Sequence, residues 1–186
     1  MRAIVSMDLN GAIGNKKELL YRINTDMKFF KQVTTENGTV IVGRKTFDSD
    51  LNKKPLPNRV NIVLSKNKTV LYDKDGKFNI WNFVDIPFLS VLFPEAIVIG
   101  GEAIYELFEP YIDYIYLTEV LDDVRPADTF FPYKLRQKLK SMAKIVFTET
   151  IATDRVPAIR MSVNMCKDKY KLELEKMNCA NIPLEG

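Results

Sequence analysis

Histidine is absent from all 186 residues of the chain. That single absence excludes Ser-His-Asp and Cys-His nucleophilic catalysis, and any His-ligated zinc. Acid–base work near pH 7 then falls to a carboxylate with a shifted proton affinity, a lysine, a tyrosine or water. Cysteine is scarce as well. Cys166 and Cys179 come late, without CxxC spacing, and read as two free thiols in a reducing compartment rather than a disulfide framework. No apolar run is long enough to span a bilayer, because the longest, IPFLSVLFPEAIVIGG, is broken by Pro94 and Glu95. The start, MRAIVSMDLNG, lacks the apolar core and small-residue cleavage site of a signal peptide, so a soluble, cytoplasmic protein is expected. An excess of one charge is also missing. With 27 Lys and Arg against 24 Asp and Glu, the net charge is +3, which suits an anionic small ligand and is too weak to argue for nucleic acid.

What is present is an ordinary globular composition, 46% hydrophobic and 27% charged, in a chain long enough for one domain with a sizeable core. RAIVSMD (2–8), TVIVG (39–43), VNIVLS (60–65), FNIWNF (78–83), EAIVIGG (95–101) and YIDYIYLTEVL (111–121) read as strands. Helices are expected over 24–36, in RKTFDSDL and in EAIYELF, and NGAIGNKK reads as turns. MAKIVFTETIA and VPAIRMSVNM form an antiparallel pair joined at TDR. The expected fold is therefore α/β: a mostly parallel sheet with an antiparallel C-terminal edge. Residues 167–186 carry balanced charge and stand apart as a tail after a domain of 1–166.

Three places carry chemistry. In the helix 24–36, Phe29, Phe30, Val33 and Met27 form an apolar arc, and Asp26 falls near its centre. A favourable helix dipole explains an acid in a first turn but not its azimuth. A carboxylate aimed inward there suits a flat ligand edge offering two donors, with Met27 and Phe30 on the ring. Next, in TVIVGRKTF, Gly43 closes a strand and Arg44 and Lys45 sit in the following first turn, where cations oppose the helix dipole. They are either a solvated pair or the counter-charge for a bound anion. Finally, IVIGGEAIY repeats that logic with Gly100, Gly101 and Glu102, a turn that either tightens the backbone or cradles a pyrophosphate. It is not GxGxxG. Arg59, after PLPN, is a surface arginine or a clamp for a ligand carboxylate.

Taken in order, NGAIG, TDMKFFK, VGRKTFDS, PLPNRVNIVLS, VIGGEAIY, IYLTEV and DTFFP resemble the dihydrofolate reductases over residues 2 to 165. The resemblance implies a single-domain sheet of about eight mostly parallel strands flanked by about four helices. It implies NADPH as cofactor, dihydrofolate as the small-molecule substrate, and a monomer without metal, nucleic acid or membrane. Asp26 matches the pterin-binding carboxylate that promotes protonation at N5, and Thr118 the threonine supporting it. Val5, Leu19, Met27, Phe30, Leu56 and Ile99 match the apolar substrate pocket, and Arg59 the arginine that binds the glutamate tail. Ser6, Ile13 and Gly14 match positions near the nicotinamide. Gly43, Arg44, Lys45 and Thr46 match phosphate contacts, with Leu64, Ser65 and Lys66 flanking the adenosine side. Gly100, Gly101, Glu102, Ala103, Ile104 and Tyr105 match the second phosphate turn, whose Gly-Gly bond is expected to be cis. Glu102 must then point outward.

The chain departs from the family pattern just before the acid. Leu20-Tyr21 stands for the usual Pro-Trp, with Tyr21 the candidate to order the water that reaches N5. Asn24 replaces a proline as the expected helix N-cap. Two rival readings are a related-fold pyrimidine reductase of riboflavin synthesis, which needs neither Asp26 at this azimuth nor Arg59, and a non-enzymatic binding or structural protein that retained the fold.

Overall fold

Two short apolar runs, residues 40–42 and 62–64, lie at the centre of the computed structural model, and they are buried on both sides. The structure describes residues 1–66, 71–72, 78–122, 125–141, 143–151, 153 and 157–165. Cys166, Cys179, the 167–186 tail and most of the TDR connection lie outside the described residues.

In chain order the elements are β1 (Arg2–Asp8), β2 (Ala12–Asn15), β3 (Glu18–Leu19), α1 (Asn24–Asn37), β4 (Thr39–Gly43) and α2 (Arg44–Ser49). Then come β5 (Val60–Ser65), β6 (Leu71–Tyr72), β7 (Phe78–Asn82), α3 (Ile86–Leu92), β8 (Ile97–Gly100) and α4 (Glu102–Phe108). The chain continues through β9 (Tyr114–Val120), β10 (Thr129–Phe130), α5 (Tyr133–Ser141), β11 (Lys144–Ile151) and β12 (Ala158–Asn164). The main sheet runs β11-β12-β9-β1-β8-β4-β5-β7-β6, and β10, β2 and β3 form a small second sheet.

From β9 to β7 every neighbouring pair is parallel. Parallel strands covered on both faces need near-continuous apolar sequence. Accordingly Val40, Ile41 and Val42 of β4 and Ile62, Val63 and Leu64 of β5 are wholly buried. The antiparallel C-terminal edge is present, β12 pairing with both β9 and β11. The opposite edge is antiparallel too, through β6 on β7.

Side chains alternate between the two faces of each strand. Ile4 and Ile97 meet Val33, Phe29 and Phe30 of α1. Val42 and Val63 meet Phe47 of α2. The other face carries the largest cluster, where Ala3, Val5, Met7 and Val98 pack against Leu89, Phe108 and Leu135 from α3, α4 and α5. The structure thus has five helices among the described residues, one more than the expected four or so. It also has strands in NGAIGNKK where turns were expected, because β2 pairs with β10 and with β3. Among the described residues no helix is long and apolar enough to cross a membrane.

α1 stops where Asn37-Gly38 signals it. Gly38 takes φ +76° and donates its N–H to Thr34 O at 3.2 Å. Its start differs from expectation. Ile23 is the N-cap, without a side-chain hydrogen bond, and Asn24 is already helical, because the helix's first bond runs from Met27 N–H to Ile23 O at 2.9 Å.

Candidate active site

Asp26 heads the stripe 26, 29, 30 and 33 that α1 turns to the sheet, and it is buried at 9% exposure. Thr118 of β9, 3% exposed, donates its hydroxyl to Asp26 Oδ1 at 2.5 Å. Arg160 of β12 brings Nη2 within 4.0 Å of the same oxygen. Desolvation outweighs both partners. Burial raises the carboxyl's pKa above its ordinary 3.8, against the lowering effects of the Thr118 hydrogen bond and the Arg160 charge. Such a carboxyl takes up a proton at higher pH than an exposed one. Both contacts fall on Oδ1, which leaves Oδ2 for a ligand.

Arg160 was not anticipated from the sequence. Its guanidinium stacks on Phe29 at 4.1 Å, donates from Nη1 to Glu149 at 2.5 Å and from Nη2 to Thr25 O at 3.2 Å. Its only signal in VPAIRMSVNM is a period of two, Ala158, Arg160 and Ser162 being buried together.

Two turns along α1 from Asp26 lies the second charged group. Arg59 donates from Nη1 to Thr34 Oγ1 at 2.6 Å and from Nε to Pro57 O at 3.0 Å. Eight residues at 1.5 Å each put Thr34 ~12 Å from Asp26 along the helix axis. Partial burial lowers the Arg59 pKa without depriving it of charge. The loop that presents it hangs on Asn61, a buried strand residue that sequence reading passed over. Asn61 accepts from Leu56 N at 2.9 Å and donates to the carbonyls of Leu56 and Arg59 at 3.0 and 2.8 Å.

Between these poles lie Met27, Phe30 and Ile99, all half-buried on the α1 side of the sheet, with Leu56 half-buried in the loop. Leu19 is exposed on β3. Val5 differs, because its side chain packs in the large cluster on the opposite face. The strand alternation that turns Ile4 and Ser6 toward α1 turns Val5 away, so only its backbone can edge a ligand there.

The two glycine turns come together. Gly43 ends β4 and Gly101 directly follows the neighbouring β8, and a Cβ on Gly43 would fall 2.8 Å from Ile104 Cγ1, while one on Gly101 would fall 2.9 Å from Thr46 Oγ1. Gly100 holds φ +117°, the Gly100–Gly101 bond is cis, and Glu102 is exposed as required. The result is a backbone-lined cradle that side chains would fill. Ser65 closes the next strand in the row, and Lys45 and Lys66 are exposed beside it. Arg44 has Nε committed to Asp48, at 2.8 and 2.9 Å to its two oxygens, so only its terminal nitrogens remain for an anion. Leu64, Ile104 and Tyr105 are core side chains, Tyr105 donating to Ile4 O at 2.7 Å, and Ala103 is exposed on α4. At those three core positions a ligand can meet only backbone.

On β1, Ser6 pairs in register with Thr118, and its Oγ is buried without a hydrogen-bond partner. That orphaned hydroxyl and the glycine cradle both fit an extended ligand carrying phosphates and a polar ring. Ile13 and Gly14 lie on β2, tied to the segment before α5 by Asp128 N–H on Gly14 O at 3.1 Å and Lys16 N–H on Asp128 at 2.9 Å. Tyr21 packs with Val120, Ile151 and Ala158, under the guanidinium of Arg125 at 4.5 Å. Burial and the neighbouring Asp122 carboxylate push its phenol's pKa upward, so it stays protonated. Among the described residues no group of three or more His, Cys, Asp or Glu converges to hold a metal.

Comparison with known proteins finds one family. The family model for dihydrofolate reductase matches residues 1–163. The dihydrofolate reductase of Haemophilus influenzae is 37% identical over 131 residues, 69% of this chain and 76% of that protein. That of Buchnera aphidicola is 35% identical over 142 residues, 75% and 83% of the two chains. A bifunctional dihydrofolate reductase-thymidylate synthase of Paramecium tetraurelia is 38% identical over 105 residues, 55% of this chain but 21% of that longer one. The solved dihydrofolate reductase of Enterococcus faecalis, complexed with NADP(H) and RAB-propyl, superposes with a TM-score of 0.72 at 28% identity, covering 88% of this chain and 94% of that one.

Proposed function

The chain belongs to the dihydrofolate reductase family, and from that premise we propose how its own residues carry out NADPH-dependent reduction of 7,8-dihydrofolate to 5,6,7,8-tetrahydrofolate. When bound, NADPH supplies the hydride, which goes to C6 of the pterin. The chain supplies everything else: binding, orientation, exclusion of water and control of one proton.

The observation that carries the reading is Asp26, a buried carboxyl in the first turn of a helix, with one oxygen held by Thr118. The carboxylate receives the N3 and 2-amino donors of the pterin, a bidentate match to a flat ring edge. Burial raises its proton affinity, which favours proton delivery toward N5 at neutral pH. Met27, Phe30 and Ile99 pack on the rings, and Arg59, ~12 Å along α1, binds the α-carboxylate of the glutamate tail. Ser6 offers its orphaned hydroxyl near the nicotinamide. The Gly43 and Gly101 turns, with Arg44, Lys45 and Thr46, take the phosphates, and Tyr21, in the segment just before α1, is the candidate to order the water that reaches N5. We extend the reading to a monomer working on small molecules in the cytoplasm.

The test follows NADPH oxidation with dihydrofolate in the parent and in Asp26→Asn. The parent turns over, while the folded variant loses roughly 10²- to 10⁴-fold near neutral pH. Near-normal turnover in Asp26→Asn would overturn the role assigned to the carboxyl. Oxidation driven by a pyrimidine ribitol phosphate instead of dihydrofolate would overturn the substrate.

A further inference from the structure

Four polar side chains stand in one cross-strand row on the face that α1 covers. Ser6 of β1 pairs with Thr118 of β9, Thr118 with Arg160 of β12, and Arg160 with Glu149 of β11. Paired residues point to the same face, so the row runs from the site to the outer edge of the sheet. Arg160 is its pivot. It is 8% exposed, and four contacts fix it: the Glu149 carboxylate, the Thr25 carbonyl, the Phe29 ring and, at 4.0 Å, Asp26 Oδ1. Its Nε is buried without a partner, so this arginine is not placed there to maximise its own hydrogen bonds. A buried guanidinium needs counter-charge, and here it has two carboxylates on opposite sides.

We propose that Arg160 is a positioning residue for the reaction: pinned by Glu149 and Phe29, it holds the Asp26 carboxylate on Thr118 and supplies the positive charge that opposes its desolvation. Glu149 divides that charge. Through Arg160, a residue at the sheet edge therefore sets how readily the site carboxyl releases its proton. The surroundings leave this role to Arg160. On α1 itself Lys28 and Lys31 are exposed, and Arg59 is engaged by Thr34 at the far end. β9 offers the Thr118 hydroxyl and the Tyr116 phenol, the latter edge-to-face with Phe29, and β1 offers the neutral Ser6. Burial, Thr118 and Arg160 are what set the Asp26 carboxyl. The inference rests on the functional reading above for its importance to turnover, but not for its electrostatics.

The experiment titrates Asp26 directly by carbon-13 NMR of the aspartate side-chain carboxyls, its signal identified by loss in Asp26→Asn, alongside the pH profile of kcat for dihydrofolate. In Arg160→Met the Asp26 midpoint moves to higher pH by about one unit or more, and the kcat profile moves with it. In Glu149→Gln both move to lower pH, since Arg160's charge is no longer shared. Arg160→Lys returns the midpoint toward the parent's. A merely structural arginine would not produce opposite shifts when it and its partner Glu149 are replaced in turn. If Arg160→Met fails to fold, Arg160→Lys and Glu149→Gln decide the matter, the second substitution lying at the partly exposed edge. Midpoints in Arg160→Met and Glu149→Gln that match the parent, or that move in the same direction, would overturn the proposal. If the parent fails to oxidise NADPH with dihydrofolate, the functional reading falls, while the titration still decides the role of Arg160.

Discussion

Replacing Thr118 by valine removes one hydroxyl and almost no volume, so its cost isolates the bond to Asp26. That bond is 2.5 Å long, ends on a carboxylate, and joins two buried residues. Hydrogen bonds to charged groups contribute ~1.5–3 kcal/mol, and burial leaves no water to replace this one. Above the folded pKa of Asp26, where the carboxylate is ionised, Thr118→Val should therefore lower stability by about 2 kcal/mol, which moves a urea midpoint by about 1 M.

The sign of the pH dependence follows from the Asp26 shift. Its folded pKa lies above the ordinary 3.8, so the stability associated with its bound proton is complete below 3.8 and is lost as pH rises through the folded value. Removing the lowering influence of Thr118 raises the folded value further. The extra destabilisation is then full above the variant's folded pKa and fades as pH falls through the parent's. In an Asp26→Asn background the bond is neutral, and the same substitution should cost ~0.5–1.5 kcal/mol at every pH. Urea melts of the four proteins between pH 4 and pH 8 read this out. A Thr118→Val cost that is independent of pH, or undiminished in the Asp26→Asn background, would refute the account of how Asp26 is held.

Asn61→Ala should cost about 2–4 kcal/mol from its three loop bonds and raise KM for dihydrofolate more than for NADPH, checked by melts and steady-state kinetics. Arg59→Gln should weaken dihydrofolate binding roughly 10- to 100-fold by fluorescence titration, with little change for a pteridine lacking the glutamate. Gly43→Ala places a Cβ 2.8 Å from Ile104, so a stability loss of ~1–3 kcal/mol and weaker NADPH binding are expected by calorimetry.

Local physics made some of these features readable in advance. Asp26 could be placed because a helix period is fixed, and one misaligned acid stands out on fourteen residues. The parallel strands were visible because burial on both faces demands unbroken β-branched sequence. The remaining features depend on partners distant in the chain. Arg160 reads locally as an outward polar residue of an alternating strand, and only the register with Thr118 shows that it turns inward. Asn61 looks like an interruption of VNIVLS until the loop folds back on it. The β2–β3 hairpin is too short to show a period, and exists because β10 pairs with it. α5 was missed because four of its nine residues are charged and it buries only Leu135. α3 was masked by Pro87, which is tolerated because it lies in the first turn, where its missing N–H has no intrahelical acceptor.

The position of β1 has a consequence for the order in which the protein can be assembled. β1 sits between β8 and β9, which follow it in the chain and begin at Ile97 and Tyr114. Asp26 likewise waits for Thr118, 92 residues further on, and Thr25 meets Arg160 across 135. At translation rates of about 5–20 residues per second, the N-terminal strand and the site carboxyl remain without partners for roughly 5–20 s. During that interval Asp26 is an ordinary exposed acid. Its raised proton affinity is acquired only on burial, so a nascent chain probed for that property reports when α1 has closed on the sheet.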